Sequence, residues 1–333
     1  MLRNAIEYLW YKNRFLASFF LPLSGLFCFL AKRRKQKLIA QLREQFPCPV
    51  IVVGNITVGG TGKTPLVMTL VKRLQEQGLK PGVVSRGYGG RADYPYQLSD
   101  QSTAHECGDE PLLIYKHCHC PLVVSPHRVE AVRFLLEQND IDVVISDDGL
   151  QHYGLRRDME IVVIDAARGL GNGYLLPAGP LRESPERLRQ VQFVITNGET
   201  PRFYAQQQFP MKLVPLPLQP LSPLVQQAAP AEGDTVHAVA GIGNPHRFFT
   251  TLQQQGYSTI NHAFADHHDY HKADLRFGDS HAVIMTEKDA VKCDQFPELD
   301  KHWYLPVKAQ VSDIFWKNFD VKLNALLHRY RPR

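Results

Sequence analysis

The residues best suited to chemistry lie in a glycine-rich stretch that follows a short apolar run at Val50–Val53. The stretch ends in Gly62-Lys63-Thr64, and loops of this type wrap phosphates with backbone N–H groups. Lys63 would reach the β- and γ-phosphates, and the Thr64 hydroxyl would face Mg²⁺. The sequence therefore predicts ATP contacts from Val58, Gly59, Gly60, Thr61, Gly62, Lys63, Thr64 and Pro65.

Two departures from the usual phosphate-loop pattern narrow the class of protein. Thr57 stands where that pattern has glycine, and the Gly-Gly-x-Gly-Lys-Thr form is typical of one branch of phosphate-loop proteins. Dimeric ATPases of that branch often carry a lysine directly before the glycine pair, where this chain has Val58. A glycine-rich turn without a ligand is the alternative, but the strand, the glycines and the following helix all favour a phosphate site.

Carboxylates provide the expected partners of this loop. Asp147 and Asp148 follow the apolar run Val143–Ser146, and a carboxylate at such a strand end holds Mg²⁺ or its water shell. A turn-forming Asp-Gly pair is the alternative, which the phosphate loop makes less favourable. Asp109, which Glu110 follows, fits a helix cap and a base that accepts a hydroxyl proton equally well.

Two arginines and a histidine in other predicted loops or at a helix start extend the candidate set. Arg128 and Arg182 suit phosphate recognition because a guanidinium can bind two oxygens, although either also suits an exposed surface. Tyr88 lies in a glycine-rich lip that can approach phosphate or sugar. His267 has acidic and histidine neighbours, which fit a metal site and a carboxylate-oriented histidine equally well.

The sequence Thr286-Glu287-Lys288-Asp289 resembles the signature of guanine recognition. Its aspartate comes one residue early, and Ala290 occupies the expected place. The pattern therefore disfavours GTP, while Lys288 can still pack near a nucleotide base.

The elements that must position these residues follow from hydrophobic patterning. Short apolar runs predict strands at Val50–Val53, Gly82–Ser85, Leu122–Ser125, Val143–Ser146, Ile161–Ile164 and Phe193–Thr196. Helical patterns such as Pro65–Gln77 and His127–Gln138 lie between them. This alternation predicts an α/β fold whose parallel sheet carries helices on both faces, with ligands at the carboxyl ends of the strands.

Composition places the chain among globular proteins, with 333 residues, 44% hydrophobic and 21% charged. Its six cysteines show no disulfide-framework spacing, which favours a reducing compartment. A net charge of +5 is only mildly basic, and we expect no nucleic-acid partner.

The N-terminal run from Phe15 to Ala31 contains no charged residue, and a basic cluster at 32–37 follows it. That cluster argues against a cleaved signal peptide. A spanning helix, a helix in the membrane interface and a buried core hairpin are the alternatives, and Pro22 and Gly25 interrupt the run. We predict membrane attachment with the remaining chain in the cytoplasm.

A region rich in proline and glutamine separates the phosphate-loop domain from a second alternation of strands and helices, whose predicted strands include His281–Met285 and Trp303–Val307. The predicted units are an N-terminal membrane-associated segment (1–37), the phosphate-loop domain (38–205), a β linker (206–232), a second α/β domain (233–310) and a C-terminal helix (311–333).

Several motifs in one order give the chain a resemblance to a known family. They are the phosphate loop, Ser-Arg-Gly-Tyr (85–88), Gly-Asp-Glu-Pro (108–111), Asp-Asp-Gly-Leu-Gln-His (147–152), Leu-Leu-Pro-Ala-Gly-Pro-Leu-Arg-Glu (175–183), Asp-His-His (266–268) and Thr-Glu-Lys-Asp (286–289). With the N-terminal apolar segment, this set resembles tetraacyldisaccharide 4′-kinase, the lipid A kinase of Gram-negative bacteria, over nearly the whole chain.

The resemblance implies ATP-dependent phosphorylation of the 4′-hydroxyl of an acylated glucosamine disaccharide 1-phosphate, at the cytoplasmic face of the bacterial inner membrane. It implies a P-loop NTPase-like domain, a smaller second α/β domain and a membrane-associated N-terminal helix. Asp109 would be the base, assisted by His267. The remaining implied roles are Mg²⁺ and phosphate contacts for Glu110, Asp147, Asp148 and Glu183, and cleft positions for Arg128, Gln151 and Arg182. A membrane-attached nucleotide switch that hydrolyses ATP or GTP is the rival interpretation.

Overall fold

The computed structural model describes residues 2–40, 44–198, 207–222, 228–293, 295–296 and 299–330. Its helices are α1 (Leu2–Tyr11), α2 (Arg14–Ser18), α3 (Leu21–Ala40), α4 (Lys63–Glu76), α5 (Ala104–Cys107), α6 (Asp109–Cys118), α7 (Arg128–Gln138), α8 (Pro245–Gln254), α9 (Glu287–Ala290) and α10 (Asp313–Tyr330). The strands from the N-terminus to the end of the first alternation are β1 (Val50–Gly54), β2 (Pro81–Ser85), β3 (Tyr96–Gln97), β4 (Leu122–Val124), β5 (Val143–Asp147), β6 (Met159–Asp165) and β7 (Phe193–Asn197). The later strands are β8 (Gln208–Pro215), β9 (Gln219–Pro220), β10 (Thr235–Ala240), β11 (Ser258–Ala263), β12 (Ala282–Thr286), β13 (His302–Leu305) and β14 (Val307–Val311).

A nine-stranded sheet in the order β14-β8-β7-β6-β1-β5-β2-β4-β3 forms the larger unit. Its strands from β8 to β4 run parallel, and β14 and β3 pair antiparallel at the two edges. β1 lies at the centre with every residue buried, because both sheet faces are covered. Ile51 and Val53 pack into one core cluster, and Val50 and Val52 pack into the other. The predicted parallel sheet with helices on both faces is confirmed.

A five-stranded sheet in the order β11-β10-β12-β13-β9 forms the smaller unit. Its core lies on two faces, with Phe248 and Leu252 of α8 on one and Leu275 and Met285 on the other. The chain passes between the two sheets at 216–218 and again at Pro306. At this crossing the Leu216 N–H donates to the Pro306 carbonyl over 2.9 Å.

The predicted boundary of the second domain at 310 differs from the sheet topology. The first four residues of β14, 307–310, lie within the predicted segment 233–310, yet this strand pairs with β8 in the larger sheet. Pro306 lacks an N–H and separates β13 from β14, so the predicted strand Trp303–Val307 is two strands in different sheets. Along β14 the buried Ala309 and Val311 alternate with exposed residues, which suits one covered face of an edge strand.

The N-terminal apolar run is divided between α2 and α3 rather than forming one helix. Much of it is exposed, with Phe15 74%, Phe19 69% and Leu26 55% accessible. The buried-hairpin alternative is therefore wrong. In the described part of the chain, no helix combines the length and the apolar character that crossing a membrane requires.

Candidate active site

The phosphate loop folds as a turn between the buried β1 and the first residue of α4, Lys63. Gly59 and Gly62 adopt φ angles of 105° and 92°, which side chains other than glycine rarely tolerate. The Asn55 amide donates to the Gly59 carbonyl over 3.2 Å and braces the loop from inside. The N-terminus of α4 thus presents its positive dipole end where the phosphates of a nucleotide would lie.

The two aspartates at the carboxyl end of β5 lie beside this loop, Asp147 as its last residue and Asp148 directly after it. Asp147 is 1% exposed and accepts a hydrogen bond from the Ser85 hydroxyl over 3.2 Å. Asp148 has a left-handed φ of 47°, and its carboxylate lies 3.4 Å from Lys63 Nζ and 3.6 Å from Arg182 Nη1. A strained backbone at a non-glycine residue of this kind is typical of functional sites.

The surroundings of Asp147 and Asp148 shift the pKa values of the two carboxyls in opposite directions. Burial and the charges of Glu110 and Asp148 raise the pKa of Asp147 well above its usual value. Burial also raises the pKa of Asp148, but the charges of Lys63 and Arg182 outweigh it and lower the net pKa. Of these two carboxyls, Asp147 is therefore the one whose ionised form an added cation would stabilise more.

The donors at this position fit Mg²⁺. Asp147 Oδ1 is buried without a hydrogen-bond partner within the described residues, while Thr64 supplies the loop hydroxyl. Among those same residues, no group of three or more His, Cys, Asp or Glu side chains is arranged to hold a metal by itself. Mg²⁺ keeps several waters and takes one or two carboxylates plus substrate phosphates.

Asp109 and His267 form a hydrogen-bonded pair between the two sheets. Asp109 begins α6 and is 5% exposed, and His267 Nδ1 lies 2.9 Å from Asp109 Oδ2 and 3.0 Å from Oδ1. His267 adopts a left-handed φ of 61°, and the Tyr88 ring lies 5.0 Å from its ring centroid. The structure thus brings together three predicted site residues that are far apart in sequence.

The charge state of this pair follows from its contacts. The hydrogen bond to Asp109 raises the pKa of His267 above its ordinary value, although burial opposes it. Burial raises the pKa of Asp109, but the hydrogen bond from His267 and the charge of Lys288 outweigh it, so the net pKa is lowered. Asp109 is therefore a carboxylate held in one orientation by an imidazole that donates from Nδ1.

Lys288 lies beside Asp109 and two neighbouring carboxylates rather than beside the phosphate-loop residues. Its Nζ lies 2.8 Å from Glu110 Oε1, 3.3 Å from Asp266 Oδ1 and 3.8 Å from Asp109 Oδ2. Burial lowers the pKa of Lys288, but these carboxylates, Glu110 first, raise it overall. Glu110, predicted near Mg²⁺, is therefore neutralised by a lysine of the second unit.

Of the other predicted residues, Arg128 lies beside Asp147, whereas Gln151 and Glu183 lie together in a separate cluster. Arg128 is 3% exposed and donates to the carbonyls of Ser125 and Asp147, and burial lowers its pKa to about 10. Glu183 accepts from the Gln151 amide over 2.8 Å and from the Tyr153 hydroxyl, and it lies 3.4 Å from Arg187. Glu183 thus belongs to a hydrogen-bonded cluster with Gln151, Tyr153 and Arg187.

Two contacts between the sheets, and one within the larger unit that supports the phosphate loop, were not predicted. The Arg247 guanidinium donates to Asn197 Oδ1 over 2.7 Å, and the Asn197 amide donates to the Thr61 carbonyl of the phosphate loop over 3.1 Å. A methyl group on Gly243 would lie 2.9 Å from the Gly60 nitrogen, so the second unit touches the loop directly. The sequence could have indicated Asn197, because this residue directly follows a predicted parallel strand. No sequence pattern indicated Arg247.

One cleft of about 1380 Å³ joins these groups. Its polar wall carries the phosphate loop, Asp147, Asp109 and His267. A second wall comes from α1 and α3, where the apolar side chains of Trp10, Phe27, Leu30 and Leu38 lie with the basic Lys32, Arg34 and Lys35. The cleft also has an apolar part lined by residues of both sheet units, Leu213, Ile242, Leu305 and Val307.

Comparison with known proteins agrees with this arrangement. A family model described as LpxK, tetraacyldisaccharide-1-P 4′-kinase, matches residues 16–324. A protein named tetraacyldisaccharide 4′-kinase from Tolumonas auensis is 50% identical over 97% of this chain and 98% of its own length. One of the same name from Alkalilimnicola ehrlichii is 53% identical over 87% of each chain.

A solved structure extends the likeness to three dimensions. A crystal structure of LpxK from Aquifex aeolicus in complex with ATP superposes with a TM-score of 0.76 at 28% identity, covering 95% of this chain and 99% of the other. Sequence and fold agree over almost the full length of both proteins. The chain therefore belongs to the LpxK family of tetraacyldisaccharide 4′-kinases.

Proposed function

We propose that the protein transfers the γ-phosphate of ATP to the 4′-hydroxyl of a tetraacylated glucosamine disaccharide 1-phosphate. One observation carries this proposal: a phosphate loop and a paired carboxylate–imidazole lie in one cleft with an apolar wall. The polar groups suit phosphoryl transfer to a hydroxyl, and the apolar wall suits an acceptor that bears acyl chains.

In this mechanism Lys63 and the N–H groups at the start of α4 hold the β- and γ-phosphates. The apolar part of the cleft lined by Leu213, Ile242, Leu305 and Val307 takes the adenine ring. The second sheet lies over the loop through Gly243 and excludes water, because water would otherwise compete with the sugar hydroxyl.

Asp109 accepts the proton of the attacking 4′-hydroxyl. His267 holds the carboxylate by donating from Nδ1, and Tyr88 packs on the imidazole. The positive charge of Lys288 lies beside Glu110, Asp266 and Asp109, which reduces the repulsion among these carboxylates and favours the ionised form of Asp109. A positioned base of this kind contributes about 10²–10⁴ to the rate.

The residues that would hold Mg²⁺ are Thr64, Asp147 and Asp148. When bound, the ion supplies positive charge that neutralises the β- and γ-phosphate oxygens. Its presence would also relieve the unfavourable ionisation of the buried Asp147.

The acyl chains hold the acceptor in a membrane, because transfer of these chains into water costs about 0.8 kcal/mol per CH₂. The enzyme therefore meets its acceptor at the membrane surface. The exposed apolar side chains of α2 and α3, such as Phe15, Leu23 and Leu26, would enter the interface, with Arg33 and Arg34 near anionic lipid headgroups. We place the enzyme at the cytoplasmic face of the bacterial inner membrane, where ATP is present.

The test is acceptor-dependent use of ATP by the full chain in mixed micelles. The proposal expects that ATP is consumed in step with the appearance of a lipid bearing one additional phosphate, and that omission of the disaccharide lowers ATP use. Release of inorganic phosphate at the same rate with or without the acceptor would support the nucleotide switch and overturn the kinase.

A further inference from the structure

Arg168 lies at a junction of three parts of the molecule that the proposed chemistry leaves unexplained. It follows β6 on a turn in which the Gly169 N–H donates to the Asp165 carbonyl over 2.8 Å. This turn places the guanidinium at the carboxyl edge of the larger sheet, where the phosphate loop also lies. Its side chain is 20% exposed, so most of it is enclosed by neighbours.

The first contact is with the smaller unit. Arg168 Nη2 donates to the Gly243 carbonyl over 3.1 Å, and Gly243 is the residue that touches the phosphate loop at Gly60. The second contact is with the loop itself, because a methyl group on Gly59 would lie 3.0 Å from Arg168 Nη1. Arg168 therefore holds the second sheet against the phosphate loop.

The third contact is with α1. Arg168 Nη2 lies 3.7 Å from Glu7 Oε1, and its guanidinium carbon lies 5.7 Å from the centroid of the Tyr11 ring. A cation over an aromatic face is attracted by the ring, and more strongly where water is excluded. α1 is therefore in contact with the same side chain that holds the second sheet.

The segment that carries Arg168 also anchors the N-terminal helices. The Trp10 indole donates to the Pro177 carbonyl over 2.9 Å, and the Asn172 N–H donates to the Trp10 carbonyl over 2.9 Å. The same segment continues to Pro180, whose carbonyl accepts from the Val58 N–H of the phosphate loop over 2.9 Å. The seating of α1 is thus joined to the loop by a short, hydrogen-bonded path.

We propose that Arg168 is a positioning residue that couples the seating of α1 to closure of the second sheet over the phosphate loop. When α1 is in place, Tyr11 and Glu7 hold the guanidinium, which keeps its hydrogen bond to Gly243. When α1 is displaced, the guanidinium is released, the second sheet opens and ATP binds more weakly. The coupling rests on the proposed function, since it describes closure over the same ATP site.

The test measures ATP affinity by calorimetry and the KM for ATP against kcat, on the full chain in mixed micelles. Arg168→Gln is expected to weaken ATP binding and raise the KM for ATP by about tenfold, because it removes a charged hydrogen bond. We expect kcat to change by less than about threefold and Arg168→Lys, which keeps the charge, to be intermediate. Arg133→Gln is the matched control, since Arg133 pairs with Glu44 on an exposed surface.

Tyr11→Leu separates coupling from a local contact. It removes the ring beneath the guanidinium and leaves Gly243 in place, and we expect the KM for ATP to rise about threefold. In the Arg168→Gln background the same change should add almost nothing. An unchanged KM in Tyr11→Leu, or additive effects in the double variant, would overturn the coupling. If the unsubstituted protein transfers no phosphate, the proposed function fails, while the calorimetric ATP affinities still decide the coupling.

Discussion

Substitution of Asp109 by asparagine separates chemistry from binding in this cleft. Asparagine keeps the shape of the side chain and removes the charge that accepts the hydroxyl proton. His267 can still donate from Nδ1 to the amide oxygen, so the imidazole stays near its position, 2.9 Å from the present carboxylate oxygen. Lys288 keeps its contacts with Glu110 and Asp266, so no buried lysine is left without a counter-charge.

The expected magnitude follows from the role assigned to this carboxylate. Loss of a positioned general base lowers kcat by about 10²–10⁴, which is about 3–5 kcal/mol of transition-state stabilisation. The affinity for ATP should stay within about threefold, because the phosphate-loop contacts do not involve Asp109. The substitution therefore lowers kcat and kcat/KM for ATP together.

The assay is the initial rate of phosphate transfer to the acylated disaccharide, with ATP affinity measured by calorimetry on the same preparation. Asp100→Asn is a matched control, because Asp100 accepts from the Tyr115 hydroxyl on an exposed surface. Circular dichroism establishes that both variants fold. A kcat of Asp109→Asn close to that of the unsubstituted protein would refute the reasoning, as would a loss explained entirely by weaker ATP binding.

Three further predictions concern the neighbours of this pair and the N-terminal helices. His267 has a pKa raised above 6.5 by its bond to Asp109, so the pair stabilises the fold fully below that pH, and its contribution is lost as the pH rises through the raised value. The stability difference between the unsubstituted protein and His267→Asn, measured by thermal unfolding, should therefore shrink as the pH rises from below 6.5 through the raised pKa of His267; a difference that grows over this range contradicts the assignment. Asp147→Asn should raise the melting temperature without nucleotide, because burial and nearby carboxylates disfavour its charge, and should abolish the gain from added Mg²⁺ and ATP; unchanged stabilisation by Mg²⁺ and ATP would exclude Asp147 from the metal site. Leu26→Asp, in the exposed face of α3, should weaken binding to anionic vesicles by about tenfold or more in a flotation assay, whereas Val321→Asp, on the exposed face of α10, should not; equal binding by both variants would place the membrane contact elsewhere.

The phosphate loop and its two flanking elements were predictable because local chemistry decides them. A buried apolar run, glycines that adopt positive φ, and Lys-Thr at the start of a helix all act within a few residues of one another. The carboxylates at the end of β5 were also predictable, because parallel strands bring their carboxyl ends to one edge of the sheet.

The pairing of Asp109 with His267 could not be derived from local pattern. Asp109 begins α6, so a helix-terminal role explained it as well as a catalytic one, and the resemblance to a family decided between them. The two residues are brought together by the packing of one sheet unit on the other, which leaves no periodic signal in the sequence. Lys288 is a similar case, because its partners belong to distant elements.

The boundary near Pro306 shows a different limit. An apolar run predicted one strand, but proline cannot donate a ladder hydrogen bond, and the chain changes sheets at that residue. The N-terminal run from Phe15 to Ala31 shows a further limit. Its length without a charged residue indicated one continuous apolar segment. The structure divides this segment between α2 and α3 and leaves most of its large side chains exposed.

The position of the transferred phosphate tests the central claim most directly. The full chain is incubated with ATP and the tetraacylated disaccharide 1-phosphate, and the lipid product is analysed by phosphorus–proton correlation spectroscopy. The account predicts a new phosphorus signal coupled to the proton at the 4′ carbon, with loss of that signal in Asp109→Asn. A phosphate on another hydroxyl, or ATP converted to ADP and inorganic phosphate with the lipid unchanged, would contradict it.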